Sequence, residues 1–434
     1  MTTRPPFDDI KSLWQATAAS RPQFSALAGD GQYDVAIIGG GYTGLSTARY
    51  LARKGLSAIV LEASRIGWGA SGRNGGVVSA KFRLAYRDIA SRFGIDVARR
   101  MHDISIEAAE HVGELVSDYA IEGADYHSTG SLRCAHNQVS LDSLKAECAW
   151  LNKALGDTAC SIQSAEEVAA ETGSNDFVGG MLKTHGGIIH PLNFVLGLAR
   201  GVQGEGATIC ENTPVLGIKR DSNGVIVETA SATIRAKTVV IATNSYSDLT
   251  KATAPVRKSI IPFRSAMIAT QPLTGTAGEH LLQNGRSYTE TRRMMRWFRK
   301  SGDRLIYGGR GAFGKTDSEA AFAALQKAMI KQFPELGSVQ VTHRWSGLVA
   351  MTLDSLPHVG RLDDRLVYAL GYNGTGVAMS SYIGKHVAEI AAGQRVDLGL
   401  LTQLPLKQIP FYGLRAPAVR VVAGWYQFLD AIGR

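Results

Sequence analysis

The chain is poor in cysteine: four in 434 residues, at 134, 148, 160 and 210, with no CxxC and no metal-ligand spacing among them. Free thiols in a reducing compartment are therefore the simpler expectation, rather than a disulfide framework or a metal centre. Long hydrophobic runs are also missing. Nowhere do 18 apolar residues follow one another, so no membrane-spanning helix is expected. The opening stretch MTTRPPFDDIKSLWQATAASRPQF has no apolar segment of the secretory kind, which makes the cytoplasm the expected location. No internal repeat and no low-complexity tract is present. Charge of one sign is not concentrated either. The net charge of +9 reads as a solvated basic surface, and no nucleic-acid partner is expected.

What is there fits an enzyme of more than one domain. Single hydrophobic cores stop growing at roughly 250–300 residues, well short of this length. Hydrophobic content of 45% and charged content of 20% are ordinary for a globular protein, while 48 glycines are many. Residues 1–30 are weakly patterned and read as an arm laid over the surface. The run Val35-Ala36-Ile37-Ile38 is continuously apolar, as in a parallel strand buried on both faces. It breaks into Gly39-Gly40-Gly41-Tyr42-Thr43-Gly44; then Leu45, Ala48, Leu51 and Ala52 follow at helical spacing, and Leu56–Leu61 forms a second strand ending on Glu62.

Glycines 39, 41 and 44 make GxGxxG, a weak signal alone. Gly309–Gly314 has the same spacing, but no apolar helix and acid-ended strand follow it, so it reads as a turn. The first copy has a strand before it, a helix after it, and Glu62 standing 23 residues beyond Gly39. Gly39 permits the tight turn, Gly41 lets backbone approach a pyrophosphate, and Gly44 lets helix and strand pack closely. The helix N-terminus offers free N–H groups to phosphate, and Glu62 can accept both ribose hydroxyls while repelling a 2′-phosphate. After Glu62, a dehydrogenase using a nicotinamide would pass into another helix. This chain instead continues as Ala63-Ser64-Arg65-Ile66-Gly67-Trp68-Gly69-Ala70-Ser71-Gly72-Arg73-Asn74-Gly75-Gly76. Such a glycine-rich lining suits an extended ligand ending in a flat ring, so FAD is expected.

GGGYTGLSTARYLARKG…VLEA followed by IGWGASGRNGG resembles the D-amino-acid oxidase/sarcosine oxidase superfamily of FAD proteins. Within it, the likeness is greatest to the bacterial branch of gamma-glutamylputrescine oxidoreductase and L-pipecolate oxidase. GGIIHP (186–191), TVVIATNSYS (238–247), KSGDRLIYGGR (300–310), Trp345–Gly360 and GYNGTGVAMSSYIGKHVAE (371–389) fall in the family's order. The resemblance implies an α/β fold in which a Rossmann-like FAD-binding domain (31–95, 188–250, 345–395) interleaves with an antiparallel-sheet substrate domain (96–187, 251–344). A C-terminal extension (396–434) would follow. It implies that Gly39, Gly41 and Gly44 hold the pyrophosphate and Glu62 the ribose, with Arg65 near the AMP half and Ala70-Ser71 near the diphosphate. Asn74, Gly75 and Gly76 would run beside the isoalloxazine, and Val215, on a strand, would meet adenine through its backbone. Ala242, Thr243 and Asn244 would close over the dinucleotide. Gly374, Thr375 and Gly376 would set a helix N-terminus at the pyrimidine end of the flavin, where reduction leaves negative charge. Tyr42, Thr43, Ala63, Gly69 and Arg73 complete the expected cofactor set. Some members tether flavin through a cysteine before the last helix; all four here precede residue 211, so non-covalent FAD is expected.

The implied reaction is hydride transfer from a carbon alpha to an amine onto flavin N5, giving an imine. O2 would be the acceptor and H2O2 the product. Such chemistry needs an unprotonated amine and alignment more than a strong base. No Ser-His-Asp-like set is found, and His190, His343 and His358 read as structural. The segment Arg292–Lys300 reads as a strand with Arg292, Met294, Arg296 and Phe298 on one face and Arg293, Met295, Trp297 and Arg299 on the other. One face is expected to look into the substrate pocket. The candidate catalytic residues are Arg296, Trp345, Tyr372 and Asn373, with a small amine or amino acid as substrate. The alternatives are a quinone-linked dehydrogenase touching the membrane through a C-terminal helix (Leu414–Arg434), and an NAD(P)H-dependent flavin monooxygenase.

Overall fold

The structure, a computed structural model, describes residues 11–222, 224–310, 318–415, and 417, 421, 424 and 425. The apolar runs at 31–38, 58–61, 233–241 and 366–370 become the centre of an eight-stranded sheet. Its order is His358–Arg361, Leu366–Leu370, Thr233–Ile241, Gly31–Ile38, Ala58–Leu61, Thr208–Cys210. The hairpin of Gly217–Asp221 and Gly224–Glu228 is attached to Thr233–Ile241. The four inner strands are parallel, with Ile37 level with both Val240 and Val60. Val35–Ile38 and Val239–Ile241 are buried on both faces, as their continuous hydrophobicity requires.

Two helices, Tyr42–Arg53 and Gly376–Ala391, lie against each other over this sheet. Small residues set their closeness: a side chain at Gly384 would come within 2.7 Å of the Thr43 carbonyl oxygen. Ser46 Oγ donates to the Ser381 carbonyl at 2.6 Å, and Thr47 Oγ1 to the Gly384 carbonyl at 3.2 Å.

A second eight-stranded sheet runs Val341–Met351, Ile261–Thr270, Arg304–Arg310, Arg296–Ser301, Ser287–Glu290, Ser131–Cys134, Gly180–Lys183, Cys160–Gln163. All neighbours are antiparallel except Ser287–Glu290 with Ser131–Cys134. Phe298 is central on one face, stacked between Tyr288 (5.6 Å) and Tyr307 (5.8 Å) and meeting Phe333 edge-on. The strand Val341–Met351 lies wholly in this sheet, across the expected domain boundary at 345. The mixed α/β class, with a parallel and a largely antiparallel sheet interleaved along the chain, is as expected.

Four local expectations are corrected. The opening arm is not merely laid on the surface: Leu13 and Trp14, in a short helix Leu13–Ala16, are 1% and 0% exposed. Their apolar bulk belongs to the main core, and polar neighbours masked that periodicity. Val215 is not on a strand; pairing starts at Gly217, because Thr250 Oγ1 takes the Val215 carbonyl at 2.6 Å. Residues 292–295 form a turn, so the strand begins only at Arg296 and the expected alternation holds from there on. The apolar spacing over Ile104–Tyr119 predicts a helix there, but it starts nine residues earlier, at Ile95, just after Gly94. The expected C-terminal helix falls mainly outside the described residues, as does most of the Gly309–Gly314 turn. Among the described residues no helix is long and apolar enough to cross a membrane, and no group of acids, histidines and cysteines could hold a metal.

Candidate active site and cofactor groove

The first sheet ends in a turn that only glycine can build. Gly39 has φ +109°, and a side chain there would sit 3.0 Å from the Ala242 carbonyl oxygen. A side chain on Gly44 would fall 2.0 Å from the Gly39 carbonyl oxygen, so this glycine lets helix Tyr42–Arg53 pack onto the strand. At Gly41 the only neighbour is Ser71, whose Oγ would be 2.9 Å away and accepts from Tyr42 N at 3.1 Å. Gly41 caps the helix with no side chain, leaving its first turn open to a ligand anion.

Glu62 sits at the end of the next strand. Its carboxylate accepts from Gly40 N (2.8 Å) and Ser64 N (2.9 Å). Burial holds its pKa above the ordinary carboxylate value, against the lowering effect of those two N–H groups. Beyond it, Asn74 folds the glycine-rich loop on itself, donating to the carbonyls of Ala70 (3.1 Å) and Ser71 (3.0 Å) and accepting from Gly76 N (2.8 Å). Arg73 stacks on Trp68 at 4.3 Å, and Trp68 meets Tyr246 edge-on. The charge of Arg65 acts on Glu211.

From the other end of the chain comes Gly371–Gly376. Asn244, in a left-handed conformation, accepts from Gly371 N at 2.9 Å. Asn373, also left-handed, accepts from Thr352 N at 3.0 Å, and its own N–H reaches the Ala350 carbonyl at 3.0 Å. The helix that starts at Gly376 has no side-chain cap from Thr375, whose hydroxyl turns back to the Tyr372 carbonyl. A second open helix start thus joins the first.

These pieces enclose one groove of 760 Å³, within the range of a cofactor site. Of the expected cofactor residues, Gly39, Gly41, Tyr42, Thr43, Glu62, Ala63, Gly69, Ala70, Ser71, Asn74, Val215, Ala242, Thr243, Asn244, Gly374 and Gly376 line it. Gly44, Arg65, Arg73, Gly75, Gly76 and Thr375, also expected there, do not line it. Tyr372 and Asn373 also line the groove. Trp345 does not: it is fully buried, and its indole donates to the Arg73 carbonyl at 3.0 Å. Arg296 lies on the sheet face of Phe298, with its guanidinium 3.4 Å from the buried Glu290 carboxylate. The strand residues on the other face are Trp297, whose ring abuts Gly75, and Arg299. Sequence reasoning missed Tyr246, although it lies in TNSYS, and Leu348–Ala350, which no motif marks. His190 is structural in its contacts, capping helix Pro191–Gly204 by accepting from Asn193 N at 3.1 Å.

The residues present fit FAD: two uncapped helix starts for its charge, a carboxylate at ribose position, and glycines where backbone must come close. The family model described as "DAO: FAD dependent oxidoreductase" matches residues 34–390. A "Gamma-glutamylputrescine oxidoreductase" of Escherichia coli (strain K12) is 32% identical over 431 residues, covering 98% of this chain and 99% of the relative. A "Probable oxidoreductase OrdL" of Rhizobium meliloti (strain 1021) is 33% identical over 99% of this chain and its own full length. The crystal structure of glycine oxidase from Geobacillus kaustophilus shares the fold, with a TM-score of 0.74 at 21% identity over 86% of this chain and 98% of that one. The chain belongs to the DAO family of FAD-dependent oxidoreductases, enzymes that act on amines or amino acids.

Proposed function

We propose that the protein oxidises a C–N bond in a small amine or amino acid, L-pipecolate-like or gamma-glutamylputrescine-like, to an imine, with O2 as acceptor and H2O2 as product. When bound, FAD supplies the two-electron acceptor through its N5 position. The observation that carries this reading is the meeting of both sheets in one groove, with Gly41, Glu62 and Gly376 from the first and Leu348–Ala350 from the second. In it Glu62 would hold the ribose, the helix start at Tyr42 the pyrophosphate, and the helix start at Gly376 the negative charge of the reduced ring. Val215, Ala242 and Asn244 would cover the adenosine half, and Asn74 would stand beside the isoalloxazine, with Gly75 and Gly76, expected there too, off the lining and against Trp297 and Arg299 instead. Tyr372 and Asn373 would set the wall where substrate is aligned. FAD is held without a tether in this reading, since no cysteine lines the groove among the described residues.

Anaerobic addition of cyclic, N-methylated and gamma-glutamylated amines to the holoenzyme tests it, with flavin absorbance as the readout. Bleaching by at least one of them, followed by rapid recovery in air with peroxide release, is expected. Bleaching by NADPH but by no amine would overturn the reaction, and recovery only with a quinone or dye would overturn the acceptor.

A further inference from the structure

The loop Arg73–Gly76 is held from behind by three buried side chains from distant parts of the chain. Trp345 Nε1 donates to the Arg73 carbonyl at 3.0 Å, and Trp14 Nε1 to the Asn74 carbonyl at 2.8 Å. Arg299 Nη1 donates to the Gly76 carbonyl at 2.6 Å and to the Ile189 carbonyl at 2.9 Å, with the Gly75 carbonyl at 3.5 Å. The carbonyls of these consecutive residues are thus turned towards the protein body. Because a trans peptide points its N–H opposite to its C=O, the Asn74–Gly75 peptide turns its N–H away from Trp14.

Arg299 is fully buried, and its Nη2 has no hydrogen-bond partner. Among the described residues no carboxylate pairs with it; its guanidinium instead lies 5.5 Å from the Trp14 ring. Trp14 is locked in turn, 4.8 Å from the His190 ring, while Thr17 Oγ1 lies 3.0 Å from His190 Nε2. Ala19 N donates to Asn193 Oδ1 at 2.8 Å. A buried guanidinium without a carboxylate in contact is costly, and burial draws its pKa down to about 10 against the opposing charge of Asp125. The fold keeps it where the carbonyls of Gly75, Gly76 and Ile189 converge, the Gly76 carbonyl also accepting from Ile189 N at 2.8 Å.

We infer that Trp14 and Arg299 act together as positioning residues, fixing the Asn74–Gly76 backbone that carries Asn74 to the flavin ring and placing one buried positive charge behind it. This rests on the reading that Asn74 stands beside the isoalloxazine. The indole N–H fixes the orientation of the peptide that faces the ring, and the Arg299 charge favours the reduced, anionic flavin over the oxidised one. Neither side chain touches substrate.

The test is hydrogen exchange of the holoenzyme and its deflavinated form, joined to the midpoint potential of the bound flavin. FAD should slow exchange both at 74–76 and at 13–18, although the second segment is outside the groove. Protection at 74–76 alone would overturn the clamp while leaving the flavin placement standing; protection at neither would overturn the placement. Arg299→Met should lower the midpoint potential and Arg299→Lys should restore most of it. Trp14→Phe, which keeps a ring but loses the donor, should shift the flavin absorption maxima and weaken FAD binding about tenfold, the scale of one buried hydrogen bond. An unchanged potential in a folded Arg299→Met holoenzyme would overturn the electrostatic half. If that variant does not fold, unaltered exchange at 13–18 on FAD binding to the wild type still overturns the proposal.

Discussion

The hydroxyl of Tyr372 lies 2.5 Å from Oγ1 of Thr43, both buried. It joins the turn before the last long helix to the first turn of the helix that opens the groove. Burial raises the Tyr372 pKa, so the phenol stays protonated across the working range. Removing it leaves a buried hydroxyl on Thr43 with one partner fewer. Tyr372→Phe should cost about 1 kcal/mol of stability and weaken FAD binding about threefold to tenfold. Thermal unfolding and fluorescence titration with FAD would read the two effects.

The two glycines of the phosphate turn should separate folding from binding. Gly44→Ala puts a methyl 2.0 Å from the Gly39 carbonyl oxygen, which is backbone and cannot yield. A loss of about 3 kcal/mol or more, seen as a lowered Tm of the flavin-free protein, is expected. Gly41→Ala meets only Ser71 Oγ at 2.9 Å. That variant should fold to a normal Tm and bind FAD more weakly; normal FAD affinity would contradict the cofactor's placement.

Arg296 offers a contrast between stability and catalysis. Burial holds the Glu290 carboxyl above its ordinary pKa, with Arg296 and Arg292 opposing that shift. Arg296→Gln should lose about 1–2 kcal/mol, because a buried carboxylate loses one of its partners. The KM for the amine should not change. A raised KM with unchanged Tm would place this guanidinium in the substrate pocket.

His190 predicts an acid limit. Burial, followed by the nearby charge of Arg299, lowers its pKa from 6.5 to about 4. The unfolded chain takes the proton at the higher value and the folded chain only at the lower one. Stability therefore rises with pH across this window and is lost as pH falls from about 6.5 towards 4, by up to about 3 kcal/mol. His190→Asn keeps an acceptor for the helix cap and should flatten that part of the curve of Tm against pH.

The parallel sheet and the phosphate turn were legible because each depends on short-range rules. Continuous apolar strands need burial on both faces, and Gly39, Gly41 and Gly44 stand between such a strand and a helical period, with Glu62 ending the next strand. The Trp14 anchor was not legible. A four-residue helix is too short to show a period, and its partners, Asn74, His190 and Arg299, are distant in sequence. The environment of Arg296 was not legible either: the alternation from Arg296 on holds, but nothing in it says that this face turns to the buried Glu290 carboxylate rather than to the pocket. Leu348–Ala350 carry no mark at all, since an aliphatic strand residue looks the same whether it meets core or cofactor.

The groove takes one helix start from Gly41 and the other from Gly376, and the strands beneath it come from both halves of the chain. A nascent chain that has passed only its first strand and turn out of the ribosome exposes half of a binding site and none of the opposite wall. The strand Thr233–Ile241 that must lie beside Gly31–Ile38 is not yet made, and Gly376 comes later still. Such distant pairing makes for slow assembly. Loading of the cofactor must therefore wait until nearly the whole polypeptide has been synthesised, and supply of FAD acts on a folded or folding full-length chain rather than on its early segments.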